Sequence, residues 1–332
     1  MIINGMTSLY PLKFKPILKK RVWGGDYLGK YFGKDTTEGN TIGESWEISG
    51  VEDNISLVTN GFLEGNNLEE VIEVYMGDLV GDEIYEEFAN EFPLLIKLID
   101  AREVLSIQVH PDNKLAKERH HAYGKTEMWY ILSKEDESKI YTGFRDGVNR
   151  ESYLKAIEEG NLPELLNAVD PEEGDVFYIP AGRVHAIGKG IVLAEIQQTS
   201  DITYRIYDWE RTGLDGKPRE IHTDLSVDAI DFKTPEYYKT RPVTEINQAI
   251  NIADFEFFTT NLLRISIETE RDYTLTESFV ILLCTEGKAK IRWYEGEEDL
   301  QKGETILIPA IMDSISVLPE EECSILEIFI TK

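Results

Sequence analysis

A β-strand unit that occurs twice constrains the fold more than any other feature of this chain. Residues 126–132, TEMWYIL, resemble residues 276–282, TESFVIL. Residues 174–187, GDVFYIPAGRVHAI, resemble residues 303–316, GETILIPAIMDSIS, and both contain Gly, five residues and then Pro. The two motifs stand further apart in the first copy, by the length of residues 149–169. The repeat therefore predicts two jelly-roll units, with an insert in the first.

The hydrophobic pattern agrees with a mostly-β chain that carries helical inserts. Apolar residues alternate with polar ones over most of the sequence, which is typical of half-buried strands. The pattern of residues 66–92 predicts an acidic amphipathic helix. The pattern of residues 149–169 predicts a helical pair, with one face formed by Leu154, Ile157, Leu165 and Leu166. We expect two domains: residues 1–245 with both inserts, and residues 246–332 as a degenerate copy in which Ser314 replaces His185.

Charge and cysteine content limit the partners and the compartment. The chain of 332 residues carries 62 Asp and Glu against 34 Lys and Arg, a formal charge of −28. This field disfavours nucleic acid and anionic membranes, so an anionic small ligand would need a locally basic pocket. Residues 15–25, KPILKKRVWGG, are a rare basic stretch that could serve it. With two cysteines and no apolar signal or membrane segment, we expect a cytoplasmic protein.

His110, Glu127 and His185 lie on predicted β-segments and are suited to bind a divalent metal. If residues 104–110 form a strand, Ser106, Gln108 and His110 share one face, opposite Leu105, Ile107 and Val109. Glu127 opens the next apolar strand on the same face as Lys125, and His185 follows a turn that Pro180 and Gly182 create. Two imidazoles and one carboxylate, with Gln108 as a possible fourth ligand, are typical of a catalytic metal site.

A further strand could present charged groups to the same cavity. In residues 192–209, VLAEIQQTSDITYRIYDW, Glu195 shares a face with Gln197 and Thr199, and Arg205 follows. An edge strand with a solvated polar face would give the same pattern. His120, His121 and His222 lie in polar stretches, and we interpret them as solvated or structural.

Together, LSIQVHPD, GKTEMWYIL, GDVFYIPAGRVHAIGKG and AEIQQTSDITYRIYDW resemble the short bacterial form of class I mannose-6-phosphate isomerase. RVWGG and GESWEIS, near the start of the chain, fit the same family. The resemblance implies a cupin fold, with a catalytic cupin domain in residues 1–245 and a cupin-like domain in residues 246–332. Gln108-x-His110 stands where cupins generally have His-x-His, as is usual in these isomerases.

The resemblance also implies a reaction and roles for individual residues. The family converts mannose 6-phosphate and fructose 6-phosphate into each other with one zinc ion. The zinc ligands would be Gln108, His110, Glu127 and His185. Glu195 would carry the proton, Arg205 would be the active-site arginine, and Ser106 and Lys125 would contact substrate or phosphate. The helical domain of the longer eukaryotic enzymes has no room in this chain, which we expect to be a monomer or homodimer.

Two other classes of function use similar residues. Two histidines and a carboxylate in a cupin can hold Fe(II) in an oxygenase, although Gln108 and the further polar strands disfavour that reading. A sugar-phosphate sensor would bind the substrate without converting it, but would not need metal ligands and a base in one cup.

Overall fold

The computed structural model describes residues 8–36, 41–235 and 237–331. The α-helices of these residues are α1 (Tyr27–Phe32), α2 (Leu68–Tyr75), α3 (Gly77–Val80), α4 (Asp82–Phe88), α5 (Asn113–His120), α6 (Arg150–Glu159) and α7 (Thr223–Ala229). Two short 3-10 helices lie at Gly61–Leu63 and Leu162–Leu165. In this part of the chain no helix is both long enough and apolar enough to cross a membrane.

The strands account for most of the regular structure. They are β1 (Ile17–Gly25), β2 (Ile42–Ile48), β3 (Leu94–Ala101), β4 (Ile107–Val109), β5 (Glu127–Lys134), β6 (Ile140–Phe144), β7 (Leu166–Val169), β8 (Val176–Ile179), β9 (His185–Ile187), β10 (Ile191–Gln198), β11 (Tyr204–Tyr207), β12 (Gln248–Asp254), β13 (Thr259–Ile265), β14 (Thr269–Asp272), β15 (Val280–Glu286), β16 (Lys288–Trp293), β17 (Gly296–Gln301), β18 (Thr305–Ile308), β19 (Ser314–Pro319) and β20 (Cys323–Phe329).

The chain packs into two compact units that are not consecutive in sequence. Residues 18–46 and 95–241 form one, which we call the cavity unit. The described residues of 1–17, together with 47–94 and 242–331, form the other, the terminal unit. The helices of the predicted insert at 66–92 therefore belong to the terminal unit. The division into domains 1–245 and 246–332 stays a prediction. The packing units differ from it because residues 47–94 pack with the C-terminal residues.

The cavity unit consists of two sheets with apolar side chains between them. One sheet has the strand order β1-β2-β3-β10-β5-β8, and the other has the order β11-β4-β9-β6-β7. Alternation along the strands fills the space between the sheets, because every second side chain points to the same face. The buried side chains of this layer include Trp129 and Ile131 of β5, Phe177 and Ile179 of β8, and Leu193 of β10.

The outer face of the second sheet is covered by helices. Ile107 and Val109 of β4 pack there with Tyr153 of α6 and Val227 of α7. The sequence prediction for this strand is therefore correct for Ile107 and Val109, whereas Leu105, which precedes β4, packs in the inner layer.

The second predicted insert, residues 149–169, is only partly helical, because its last residues form β7. Leu166 is buried against the outer sheet face, and Ile157 and Leu165 pack partly buried beside it. Leu154 is exposed, which contradicts its predicted place on the buried face.

The terminal unit repeats the same topology, which confirms the predicted pair of jelly rolls in a mostly-β chain. Its sheets have the orders β12-β13-β20-β15-β18 and β14-β19-β16-β17. The run β13-β20-β15-β18 thus matches β3-β10-β5-β8 strand by strand. Its apolar layer includes Leu282 of β15, Ile306 of β18 and Ile325 of β20.

Cross-strand register corrects the sequence alignment of the first motif. Glu127 lies opposite Ile179 in the β5–β8 ladder, and Val280 lies opposite Ile308 in the β15–β18 ladder. Val280 is therefore the counterpart of Glu127, and Glu277 is an exposed residue three positions earlier, before β15 begins. The sequence alignment was wrong because both motifs begin with Thr-Glu. Glu277 lies outside a strand, and a residue outside a strand has no fixed register.

The predicted match of Ser314 to His185 is shifted by one residue. Ser314 is exposed at the start of β19, whereas Ile315 points into the apolar layer, as His185 does in β9. A shift of one residue exchanges the two faces of a strand. In the described residues, clusters of three or more metal-binding side chains occur at one place, and it lies in the cavity unit.

Candidate metal centre and cavity

The two sheets of the cavity unit bring the predicted metal-binding residues together at one end. Gln108 of β4 lies directly opposite His185 of β9 in the five-stranded sheet, and His110 follows the end of β4. Glu127 opens β5 in the facing sheet. His110, Glu127 and His185 each offer a ligand atom, and these atoms lie within 4.8 Å of one another.

The distances around Glu127 describe a compact group. His110 Nε2 lies 3.2 Å from Oε1 of Glu127, and His185 Nε2 lies 3.8 Å from Oε2. The amide Nε2 of Gln108 lies 3.2 Å from His185 Nε2. All four predicted residues thus meet at one point, and His110, Glu127 and His185 are each at most 1% exposed.

Hydrogen bonds fix both imidazole rings in the orientation that a metal ligand needs. Nδ1 of His110 donates to the carbonyl oxygen of Ile202 at 2.8 Å, and Nδ1 of His185 donates to that of Arg183 at 2.8 Å. With the proton on Nδ1, each Nε2 keeps a lone pair: that of His110 has no hydrogen-bond partner, and that of His185 accepts from the amide of Gln108. Backbone carbonyls that hold the second ring nitrogen are typical partners of metal-binding histidines.

The protonation states also suit a metal site. Burial and the nearby charge of Lys125 lower the pKa of His110 to about 3, and burial lowers the pKa of His185. Both rings are therefore neutral at neutral pH. Although burial by itself raises the pKa of Glu127, the nearby ammonium of Lys125 holds it well below its usual range.

Three buried atoms of the group lack a hydrogen bond. They are Nε2 of His110 and both carboxylate oxygens of Glu127. Lys125 Nζ lies 3.2 Å from Oε1 of Glu127, an ion-pair distance outside hydrogen-bond geometry. Buried polar atoms without partners cost free energy, and a divalent cation would satisfy all three. The residues present therefore fit a metal ion.

A cavity of about 600 Å³ lies in the cavity unit, and of the four predicted metal ligands Gln108 lines it. The other predicted site residues, Ser106, Lys125, Glu195 and Arg205, all line it. Lys20 and Arg21 of the basic stretch also lie on its wall. Arg21 forms two hydrogen bonds with the carboxylate of Glu44, at 2.8 and 3.0 Å.

Glu195 is held by residues that the sequence reasoning did not single out. Lys97 Nζ donates to Oε1 of Glu195 at 2.8 Å, and Trp129 Nε1 donates to Oε2 at 2.8 Å. Lys97 Nζ also donates to the side-chain oxygen of Gln197 at 2.5 Å. Burial and the charge of Glu127 raise the pKa of Glu195, while Lys97 and Lys125 oppose this. The sequence contains one signal that could have identified Lys97 as a site residue: it is a single lysine inside the apolar strand 93–101, PLLIKLIDA.

The remaining histidines have structural contacts. His120 is exposed on α5, and its Nε2 shares a 2.8 Å hydrogen bond with the hydroxyl of Tyr204. His222 Nδ1 accepts from the backbone N–H of Arg205 at 3.1 Å. His121 is exposed and ends α5 in the left-handed region.

The turn before His185 requires glycine at residue 182. Gly182 has φ +87°, and a Cβ there would lie 3.0 Å from the carbonyl oxygen of Ala229. Its N–H donates to the carbonyl oxygen of His110 at 2.9 Å, and its carbonyl accepts from the N–H of Asp231 at 2.8 Å. Gly182 thus ties the segments of both histidines together.

We expect Gly182→Ala to lower the free energy of unfolding by about 2–3 kcal/mol, because strain and a close contact add together. Gly147→Ala is the matched control: Gly147 has φ +85°, and a Cβ added there would meet no heavy atom within 4 Å. It should cost about 1 kcal/mol from backbone strain alone. Urea unfolding of the two variants checks this, and equal losses would contradict the role of the contact with Ala229.

Two family models match the chain. Residues 11–139 match the catalytic domain of type I phosphomannose isomerase. Residues 249–326 match the cupin domain of mannose-6-phosphate isomerase. The second match falls within the sheets of the terminal unit, which agrees with a cupin-type jelly roll there.

Individual proteins are similar over nearly the whole chain. Mannose-6-phosphate isomerase of Streptococcus mutans is 34% identical over 92% of this chain and 94% of its own length. ManA, a mannose-6-phosphate isomerase of Bacillus subtilis, is 33% identical over 94% of this chain and 97% of its own length. A crystal structure of mannose 6-phosphate isomerase from Bacillus subtilis superposes with a TM-score of 0.87 at 30% identity, covering 96% of this chain and 99% of that one. The motif resemblance is thereby confirmed, and this chain belongs to the type I mannose-6-phosphate isomerase family.

Proposed function

We propose that this protein interconverts mannose 6-phosphate and fructose 6-phosphate, with one zinc ion held by Gln108, His110, Glu127 and His185. The observation that carries the proposal is the buried His110–Glu127–His185 group, which Gln108 connects to a cavity lined also by Glu195 and several cations. The names of the relatives support the same substrate pair.

The donor set suits zinc. Two neutral imidazole nitrogens, one carboxylate and one amide leave net positive charge on a divalent ion, and zinc accepts nitrogen and oxygen ligands. When bound, zinc supplies Lewis-acid stabilisation of negative charge on oxygens next to the reacting carbons.

Glu195 is the proposed base. The reaction removes a proton from C2 of the open-chain aldose and returns it to C1, through an enediolate, to give the ketose. Lys97 and Trp129 hold the Glu195 carboxylate in place with one hydrogen bond to each oxygen. Burial raises the pKa of Glu195, which makes the carboxylate a stronger base than an exposed one.

The other cavity residues bind and orient the substrate. Arg205, Lys125 and Ser106 line the same cavity as Gln108, so they can contact a sugar whose reacting carbons face the proposed metal ligands. In a protein of charge −28, these cations offset the negative charge of a phosphorylated sugar and of the enediolate.

Removal of metal tests the proposal directly. We expect a chelator to reduce the conversion of mannose 6-phosphate to the uncatalysed rate, because the Lewis acid is lost. Zinc should restore the rate when it binds again at Glu127. A coupled assay that follows fructose 6-phosphate measures this, and Mg²⁺ add-back is the control because it prefers all-oxygen ligands. Turnover that depends on O₂ would support the Fe(II) oxygenase class instead. Binding of mannose 6-phosphate without conversion, with zinc present, would support the sensor.

A further inference from the structure

A hairpin that follows β11 places an additional cation on the cavity wall. Thr212 and Pro218 form an antiparallel bridge, and the N–H of Gly213 donates to the carbonyl of Lys217 at 2.6 Å. Arg219 comes directly after this hairpin and lines the cavity with its side chain 20% exposed. Neither the sequence motifs nor the proposed mechanism has used this arginine.

Arg219 is anchored by a buried carboxylate. Its Nε donates to Oδ2 of Asp208 at 2.7 Å, and its Nη2 donates to Oδ1. Arg211 binds the same carboxylate, with Nε and Nη2 at 3.0 and 2.8 Å from Oδ1. Asp208 is 6% exposed, so its position is fixed and it fixes both guanidinium groups in turn.

The two arginines differ in whether a guanidinium nitrogen is still available to donate a hydrogen bond to a ligand. The third nitrogen of Arg211, Nη1, donates to the carbonyl of Val104, so all three are occupied. No hydrogen bond to another described residue uses Nη1 of Arg219. Arg219 can therefore hold its place through Asp208 and still donate to a group in the cavity.

Positive charge exceeds negative charge at this place. Arg205, Arg211 and Arg219 lie together with one buried acid, Asp208. Arg205 Nη1 donates to the carbonyl of Glu220 at 2.8 Å, and its Nε is buried without a hydrogen bond. The acids Asp201 and Asp215 on the cavity wall are exposed and so largely hydrated.

We propose that Arg219 binds the phosphate group of the substrate, with Arg205 between it and the metal-binding group. A phosphate ester carries a charge of about −1.5 to −2 at neutral pH, which matches this excess of guanidinium charge. Arg205 lies opposite Gln108 in the β11–β4 ladder and is close to Arg219, so Arg205 connects the proposed metal ligands with Arg219. The inference rests on the proposed function for the identity of the ligand, but the anion site itself does not.

The competing position for the phosphate is the opposite wall formed by β1. Arg21 there is already bound on two nitrogens to Glu44. Lys20 is the other cation of β1 that lines the cavity. Lys20→Met is thus a matched control that also removes one positive charge from the cavity wall.

The variant Arg219→Gln removes the charge but keeps an amide that can donate to Asp208. We expect it to weaken binding of inorganic phosphate, measured by titration calorimetry with zinc present, by about 10- to 100-fold. KM for mannose 6-phosphate should rise by a similar factor, and Arg219→Lys should recover part of the loss. Lys20→Met should change both constants by less than about threefold, because Lys20 is an exposed residue of β1 whose charge is screened by solvent.

Metal content separates a binding role from a structural one, since loss of a phosphate contact does not alter it, whereas the urea midpoint falls in either case because the ion pair with Asp208 is lost. If Arg219→Gln unfolds, the same titrations are made with Arg219→Lys. Wild-type phosphate affinity in the arginine variants, or a larger loss in Lys20→Met, would overturn the inference. If the wild type binds phosphate through Arg219 but does not convert mannose 6-phosphate, the anion site stands and the proposed function fails.

Discussion

Glu195→Gln is expected to reduce kcat by about 10²- to 10⁴-fold, the usual contribution of a general base. Glutamine has the same shape and its oxygen can accept from Lys97 or from Trp129, although not from both, and its amide cannot accept the proton from C2 at neutral pH. The rate of exchange of the C2 proton with solvent deuterium should fall together with kcat. Metal content should remain at the wild-type level, because Glu195 is not among the residues that meet at Glu127.

The repeat offers a matched control for this substitution. Glu327 of β20 lies opposite Leu282 of β15, as Glu195 lies opposite Trp129, so Glu327 is the counterpart of Glu195. It is fully buried and accepts hydrogen bonds from Arg271 and from the hydroxyl of Tyr273. Glu327→Gln should lower stability and leave proton exchange intact. Full turnover by Glu195→Gln would eliminate Glu195 as the base.

Glu127→Gln should remove the metal and the activity together. Glu127 is the one anion among the four proposed ligands, and a neutral amide in its place leaves the cation without a counter-charge. Because loss of residues that merely support a ligand costs about 10- to 100-fold in metal affinity, loss of this ligand should exceed about 100-fold. Competition with a chromogenic chelator measures the affinity.

Lys125 makes this variant informative about folding as well. With Glu127 replaced, the buried ammonium of Lys125 loses its ion-pair partner at 3.2 Å, and we expect the urea midpoint to fall too. His120→Gln changes an exposed imidazole outside the group and serves as the control. Wild-type zinc affinity in Glu127→Gln would refute the assignment of this carboxylate as a ligand.

The sequence predicted which residues of the candidate site lie close together, because their geometry is local to short strands. Gln108 and His110 are two residues apart, so the alternation of an extended segment alone places them on one side. Glu127 and His185 belong to motifs that mark where β5 and β9 begin. The metal-binding group could therefore be predicted without knowing which sheet each strand joins.

The parts that the sequence did not predict depend on contacts between distant segments. Lys97 contacts Glu195 because β3 and β10 are neighbours, and no local pattern contains that pairing. Arg219 follows a polar hairpin whose composition is that of any surface loop, and only Asp208 shows which way its side chain points. The counterpart of Glu127 was misplaced for a related reason, since register is a property of paired strands.

The discontinuity of the cavity unit has a consequence for synthesis on the ribosome. β1 and β2 emerge early, but their sheet is completed by β10, which lies far later in the chain. Pairing over such separations is slow, because the loop must close before any contact forms. The cavity wall that holds Arg21, Glu44 and Lys97 therefore cannot be finished until Glu195 has left the exit tunnel. The candidate metal site is thus completed late in synthesis, and truncated chains that end before β10 contain His110 and Glu127 without the completed cavity wall.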